Sequence, residues 1–384
     1  MWRPVSVGIT TALVGFTSSF VVVLAGLAAV GGTTAQATSG LIAVTVLMGA
    51  LTAWMSWRHR IPLMVAWSTP GAAILVSAGA AEGGWPAAVG AFLVTGLLIV
   101  LTAAFPGLGR LIASIPAPLA QAMLAGVLLN LCVQPVVAFA QTPLLVAPVV
   151  LTWLVLTRFA PRWAAPVAFA VALAVAVIVV VGRGDSIVVA PFALTFTVPT
   201  FNVSALVGIA VPLYIVTMAS QNVPGLAIMA AHGFKVPWRE TLLTTGVGTM
   251  LGAPAGAHAV NLAAITAALA ASEEAHPNTK RRWIAAHTAG WGYIVLGALT
   301  PVLVALAAEA PAGLIEAVAG LALLGTLAAA LSAAVAARSQ HVAVVVTFLI
   351  AASPVVIYGI GPSFWSLAAG LLVWVLFARK SAAD

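Results

Sequence analysis

Charge is nearly absent from the apolar stretches of this chain. Of 384 residues 63% are hydrophobic and 6% charged. The charges fall mostly in short gaps between apolar runs of about 20 residues, the length that crosses a bilayer as a helix. Inside hydrocarbon a chain must satisfy its own backbone N–H and C=O groups, which helices do within one segment. The pattern therefore commits the sequence to an all-α polytopic membrane fold. The net charge of +7 is not a nucleic-acid signal, because with charge this sparse its placement relative to the membrane is what matters. Cys132, the single cysteine, excludes an intramolecular disulfide framework and offers no metal site. No cofactor is expected.

Dividing the apolar runs at their polar breaks gives fourteen spans. They lie near 8–30, 36–57, 62–81, 86–104, 115–138, 142–158, 163–181, 203–231, 238–251, 253–271, 283–307, 312–336, 340–354 and 362–378. Thr34-Ala35-Gln36-Ala37 resembles a signal-peptide cleavage site, but the run from Val5 to Val30 is too long for a signal and reads as a first transmembrane helix. With the N-terminus in the cytoplasm, Arg3, Arg58, Arg60, Arg110, Arg158, Arg162, Lys235, Arg239, Lys280, Arg281, Arg282, Arg338, Arg379 and Lys380 all fall inside, and only Arg183 outside. One missed helix would invert everything after it, so this asymmetry supports the count and places both termini in the cytoplasm. The chain is thus expected to be a multi-pass protein of a cytoplasmic membrane.

Fourteen spans divide into two halves of seven, and an odd number makes the second half inverted. Sliding the chain by 195 residues aligns Leu101–Leu129 with Leu296–Leu324 without a gap. Pro106 meets Pro301, and Pro116 meets Pro311. The halves are 1–184 and 203–384, joined by an external linker, 185–202, whose alternating residues would also suit a short strand pair. Inverted repeats place a substrate near the bilayer midplane, at the repeat interface.

Spans three and ten are each interrupted by proline and glycine, at Trp67-Ser68-Thr69-Pro70-Gly71-Ala72-Ala73 and at Gly252-Ala253-Pro254-Ala255-Gly256-Ala257-His258. A matched pair of broken helices marks a transporter's central site. Thr69 suits an N-cap and Pro70 a first helical position, so a half-helix to about Ala81 would start near the midplane. The same is expected from Pro254, with Gly256 allowing close backbone approach. Two converging N-termini, each carrying about half a positive charge, form an anion site without Arg or Lys. Ser18, Ser19, Ser220, Gln221 and Asn222 are polar residues in nearby spans, and His258 and Asn261 at i,i+3 would share a helix face. Phe16, Phe20, Trp67 and Tyr214 could wall the site. The break segments contain no Asp, Glu, Lys or Arg, which favours a flat apolar anion over a nucleobase needing carboxylate acceptors. His258 is the first proton-coupling candidate. Glu316, inside a span, is the second, although its place near a helix start also suits interfacial solvation.

Enzyme chemistry lacks its parts: there are two Asp residues, no His-Glu-x-x-His and no Gly-x-Ser-x-Gly. A passive anion channel is an alternative, since half-helices also build pores, as is carriage of another anion or a nucleobase.

Three longer motifs carry a family resemblance. Ala66-Trp67-Ser68-Thr69-Pro70-Gly71-Ala72-Ala73, the run from Pro212 to Gly225 and the run from Gly256 to Thr266 resemble the bacterial benzoate/proton symporter family. Glu274-Ala275-His276-Pro277 and the run from Ile115 to Gly126 look like further signatures. The resemblance implies the seven-plus-seven inverted fold shared with nucleobase permeases and anion exchangers. It also implies a core domain (1–110 plus 203–307) moving elevator-like against a gate domain (111–184 plus 308–384), and benzoate as substrate. The expected partners are thus a small aromatic carboxylate, a proton and the lipid bilayer, with a homodimer as candidate assembly and no nucleic acid. The site would comprise Thr69, Pro70, Gly71 and Ala72 facing Ala255, Gly256, Ala257 and His258. Where the family pattern has a bulkier residue near 255, Ala255 would widen the pocket.

Overall fold

The computed structural model describes residues 2–184, 186–336 and 340–381. Asp185 and Arg338 lie outside the described residues, as do the side chains of Arg379 and Lys380. Each of the fourteen expected spans contains a helical segment. Among the described residues eight helices are long and apolar enough to cross a membrane, from Trp2–Ala29 to Leu314–Val335. Shorter apolar helices run over Thr69–Ala78, Pro143–Phe159, His341–Ala352 and Pro362–Phe377. The stretch that mimicked a cleavage site is a helix start. Thr33 caps Thr34–His59, its hydroxyl accepting from Gln36 N at 3.3 Å while Gln36 Oε1 accepts from Thr33 N at 3.0 Å.

The packing carries the repeat symmetry. Thr34–His59 lies along Trp283–Ala308, and Gly84–Ala104 along Trp238–Gly252. Exchanging the two halves turns one contact into the other. Both crossings are tight at glycine: a Cβ on Gly290 would stand 2.6 Å from the Gly49 carbonyl oxygen, and one on Gly246 2.9 Å from that of Gly96. Small residues at such crossings let membrane helices approach closely. Ala117–Gln141 packs along Leu314–Val335, its own repeat partner. Shifted by 195 residues, Trp283–Ala308 falls on 88–113. That stretch is covered by Gly84–Ala104 and Pro106–Ala113, so Pro106 starts a new helix where Pro301 stays inside one.

The breaks meet in a two-stranded antiparallel sheet, the one sheet among the described residues. Strand β1 (Val65–Trp67) pairs with β2 (Val260–Leu262), with Val65 opposite Leu262, Ala66 opposite Asn261 and Trp67 opposite Val260. Unwound backbone in a membrane needs partners on both edges. Side chains supply the outer ones. The Thr52 hydroxyl accepts from Val65 N at 2.9 Å and lies 3.0 Å from Val65 O. Thr249 Oγ1 accepts from Val260 N at 3.1 Å, and Asn222 Oδ1 from Leu262 N at 2.9 Å. Ser68 N donates to Ala259 O and Ala263 N to Met64 O, extending the ladder beyond both strands.

The linker forms no strand pair among its described residues. It is pinned across one end of the molecule instead. Thr195 N donates to Ser39 Oγ at 2.8 Å and the Trp85 indole to Thr197 Oγ1 at 3.0 Å. Thr197 N donates to Pro254 O and Thr200 N to Pro86 O.

Candidate functional site

Each strand leads into a half-helix, and the two half-helix starts define the site. The first runs over Thr69–Ala78 with Ser68, not Thr69, as its N-cap; the Ser68 hydroxyl accepts from Gly71 N at 3.1 Å. The second begins at Ile265, not at Pro254. Pro254 lies in a 3-10 turn, Ala253–Ala255, that continues the preceding helix, and Gly256 ends it at φ 95°. Residues after Gly256 stay extended because β1 takes up the β2 backbone groups that an earlier helix start would withdraw. Spans nine and ten share only about 34 residues, tight for two helical crossings at about 1.5 Å per residue, and this extended stretch covers more distance per residue.

Between the half-helix starts lies a cavity of about 70 Å³. Thr69 stands at the first start and Ala263, Ala264 and Thr266 at the second. Val14, Gly15, Ser18 and Ser19 enter where Trp2–Thr17 gives way to Phe20–Ala29, and Met48, Ala66, Trp67, Gln221 and Tyr293 complete the wall. The helix breaks there because Thr17 turns its hydroxyl back on Leu13 O at 2.7 Å and Ser19 leaves the helical conformation at ψ 2°. Gln221 belongs to a π-helical turn, Met218–Asn222, in span eight, the repeat counterpart of span one. Such turns recur at functional sites.

The wall is neutral but polar. Among the described residues no Asp, Glu, Lys or Arg lines it. Ser19 Oγ accepts from the Trp67 indole at 2.8 Å, fixing that ring. Trp67 stacks tilted on Phe16 at 5.5 Å, and Phe16, Phe20 and Phe169 continue the aromatic row at 5.3 and 5.4 Å. Thr266 Oγ1 is buried without a partner among the described residues. A buried hydroxyl of that kind calls for a ligand or water.

Several expected ligands serve the backbone instead. Ser68, Asn222, His258 and Asn261 are all fully buried and off the cavity wall. The Ser68 hydroxyl also bonds Thr217 at 2.8 Å, and the Ser68 carbonyl accepts from His258 Nε2 at 3.1 Å. His258 and Asn261 share no helix face, because their segment is extended. With its amide turned to donate to Leu262 O at 3.0 Å, the Asn261 oxygen lies 3.1 Å from Ser68 N, sharing the N–H that Ala259 O also accepts. Pro70, Gly71 and Ala72 are buried, with Leu213 against Gly71 and the Ala72 carbonyl against Gly26.

The Ala255–Ala257 segment lies behind the site. Ala255 O accepts from Ser39 Oγ at 2.8 Å, Gly256 packs on Gly40 and Trp85, and Ala257 is buried. The small side chain of Ala255 therefore does not widen the cavity. Tyr214 points into a separate cluster with Ile99, Ala103 and Leu242, and its hydroxyl meets Thr102. Ser220 is off the wall, its hydroxyl buried without a partner among the described residues. Glu316 sits exposed in the first turn of Leu314–Val335, where a carboxylate favours the helix dipole. Of the expected residues, Ser18, Ser19, Trp67, Thr69 and Gln221 do meet at the cavity. Tyr293 escaped the sequence reading; its signal was a phenol, one of three tyrosines, inside an otherwise apolar run.

A polar cavity between half-helices of crossed inverted repeats is how secondary transporters hold their cargo, and this chain is a membrane transporter rather than an enzyme. It belongs to the benzoate membrane transport protein family, whose pattern matches residues 3–376. Inner membrane protein YdcO of Escherichia coli K12 is 36% identical over 373 residues, covering 96% of this chain and 94% of that one. The benzoate membrane transport protein of Acinetobacter baylyi is 28% identical over 337 residues, covering 86% and 83%. The fold is that of the transmembrane domain of the cyanobacterial bicarbonate transporter BicA, at TM-score 0.61 and 14% identity over 98% of this chain and 97% of that one. The murine anion transporter Slc26a9, in its inward-facing state, superposes at TM-score 0.66 and 12% identity over 99% of this chain and 69% of that one.

Proposed function

We propose that this protein imports benzoate or a similar aromatic carboxylate with protons, across the bacterial inner membrane. The observation that carries this reading is the uncharged cavity between two half-helix starts. Its two positive dipole ends suit one carboxylate, and Trp67 and Met48 offer an apolar face to a flat ring. Ser18, Thr69, Gln221 and Thr266 would hydrogen-bond the carboxylate, and Ser19 would act through Trp67. Family membership and the Acinetobacter relative's name support benzoate as the acid.

In this reading both termini and the Arg-rich end are cytoplasmic. The core (1–110 plus 203–307) carries the site past the gate (111–184 plus 308–384) in an elevator-like movement, and two copies pair as a homodimer. His258 is the proposed proton carrier in preference to Glu316. It bridges the two breaks through Ser68, and its buried Nδ1 has no partner among the described residues.

Uptake of labelled benzoate into proteoliposomes under an imposed pH gradient tests the proposal. Accumulation should collapse with a protonophore and be competed by unlabelled benzoate. Competition by bicarbonate, sulfate or uracil with none by benzoate would overturn the substrate. Benzoate flux that ignores the proton gradient would make the protein a channel.

A further inference from the structure

A second cavity, of about 190 Å³, opens beside the Arg-rich end. It follows the same two elements as the first. Thr10 and Thr11 lie one helical turn before Val14 and Gly15, and Leu269 lies about one turn after Thr266 on the second half-helix. Ser6, Arg162, Trp163 and Glu274 complete its polar lining. The two cavities therefore lie in succession along one seam between Trp2–Thr17, the second half-helix and the start of Pro161–Arg183.

An ion pair spans this cleft. Arg162 Nη1 lies 2.5 Å from Glu274 Oε2, with the two side chains 50% and 59% exposed. Arg3 Nε donates to the Glu274 carbonyl at 3.0 Å from the other side. Arg162 is the second residue of its helix, where the dipole disfavours a cation unless a carboxylate is beside it. Glu274 meets that need in this state, and the carboxylate of a departing substrate would meet it equally. Pairs so exposed are weak, which suits a contact that opens once per cycle.

We propose that this cleft is the release vestibule for the carried carboxylate, that Arg162–Glu274 is its latch, and that Arg162, once freed, receives the anion. The proposal rests on the reading above that an aromatic carboxylate leaves at this end.

Thiol labelling tests it in a Cys132→Ser background carrying Thr10→Cys, in inside-out vesicles with a membrane-impermeant maleimide. Glu274→Gln should speed labelling about two- to fivefold, the range set by breaking one exposed pair. The swap Arg162→Glu with Glu274→Arg should return it to the parent rate. Millimolar benzoate should slow labelling in Glu274→Gln and fail to do so once Arg162→Gln is added. An unchanged rate in Glu274→Gln, with thermal stability intact, would overturn the latch. Equal protection with and without Arg162, or none in either, would overturn the receiving cation. The rates measured without benzoate need no substrate, so failure of benzoate uptake in the parent would refute the substrate and leave the latch decided on its own, while the protection arm is read against a parent that takes benzoate up.

Discussion

Asn222 Oδ1 accepts the Leu262 amide hydrogen at 2.9 Å, so a side chain from one helix closes the outer edge of a strand belonging to another. Both groups are buried, and the alternative for Leu262 N–H is no partner at all. Asn222→Leu should therefore cost about 1–3 kcal/mol, the range for stranding a buried donor. Thermal unfolding in detergent should show a lower midpoint, accompanied by lost benzoate binding. An unchanged midpoint would mean that the strand edge finds another partner.

Thr52 and Thr249 do the same work in the two repeats, but not to the same extent. Thr52 meets both the N–H and the C=O of Val65, whereas Thr249 accepts from Val260 N and gives its own proton to Thr245 O at 2.9 Å, a carbonyl inside its own helix, so only Thr52 serves two strand groups. Replacing each by valine keeps the shape and removes the hydroxyl. Thr52→Val should destabilise more than Thr249→Val, by about 1 kcal/mol, the usual net worth of one hydrogen bond. Equal losses in parallel unfolding curves would contradict the asymmetry.

The helical frame was legible because hydrocarbon leaves so few alternatives. Pro116 and Pro311 precede repeat-related helices, as their spacing implied, and Gly49 and Gly96 sit at equivalent crossings. The interior of the breaks was not legible. Pro254 carries the same helix-start signal as Pro70, yet the chain withholds its helix until Ile265. That choice depends on β1, a strand nearly two hundred residues away, and no local propensity reports it. The polar residues misled for a related reason. A membrane-buried amide always needs a partner, and sequence does not say whether that partner is a ligand or backbone. Gln221 faces the cavity, while its neighbour Asn222 faces a strand.

Gly15 sets the size of the cavity. A methyl group there would strike the Tyr293 hydroxyl and stand 2.9 Å from the Thr266 methyl. Gly15→Ala should therefore reduce benzoate uptake at least tenfold, equivalent to about 1.4 kcal/mol. Its unfolding midpoint should fall as well, because the buried Tyr293 must shift, so uptake is compared per folded protein. Adding Tyr293→Phe removes the oxygen that is struck and should restore part of the uptake. Unimpaired uptake by Gly15→Ala would place the substrate elsewhere.

His258 lies behind the cavity, not in it, so any part in coupling runs through the Ser68 carbonyl at the first half-helix start. Glutamine can donate to that carbonyl but does not titrate. His258→Gln should therefore fold and bind benzoate like the parent. In proteoliposomes it should equilibrate labelled benzoate down a concentration gradient without accumulating it against one when a pH gradient is imposed. His258→Ala removes the bond as well and should lower the unfolding midpoint, separating the structural role from the coupling role. Full gradient-driven accumulation by His258→Gln would show that the proton travels by another group.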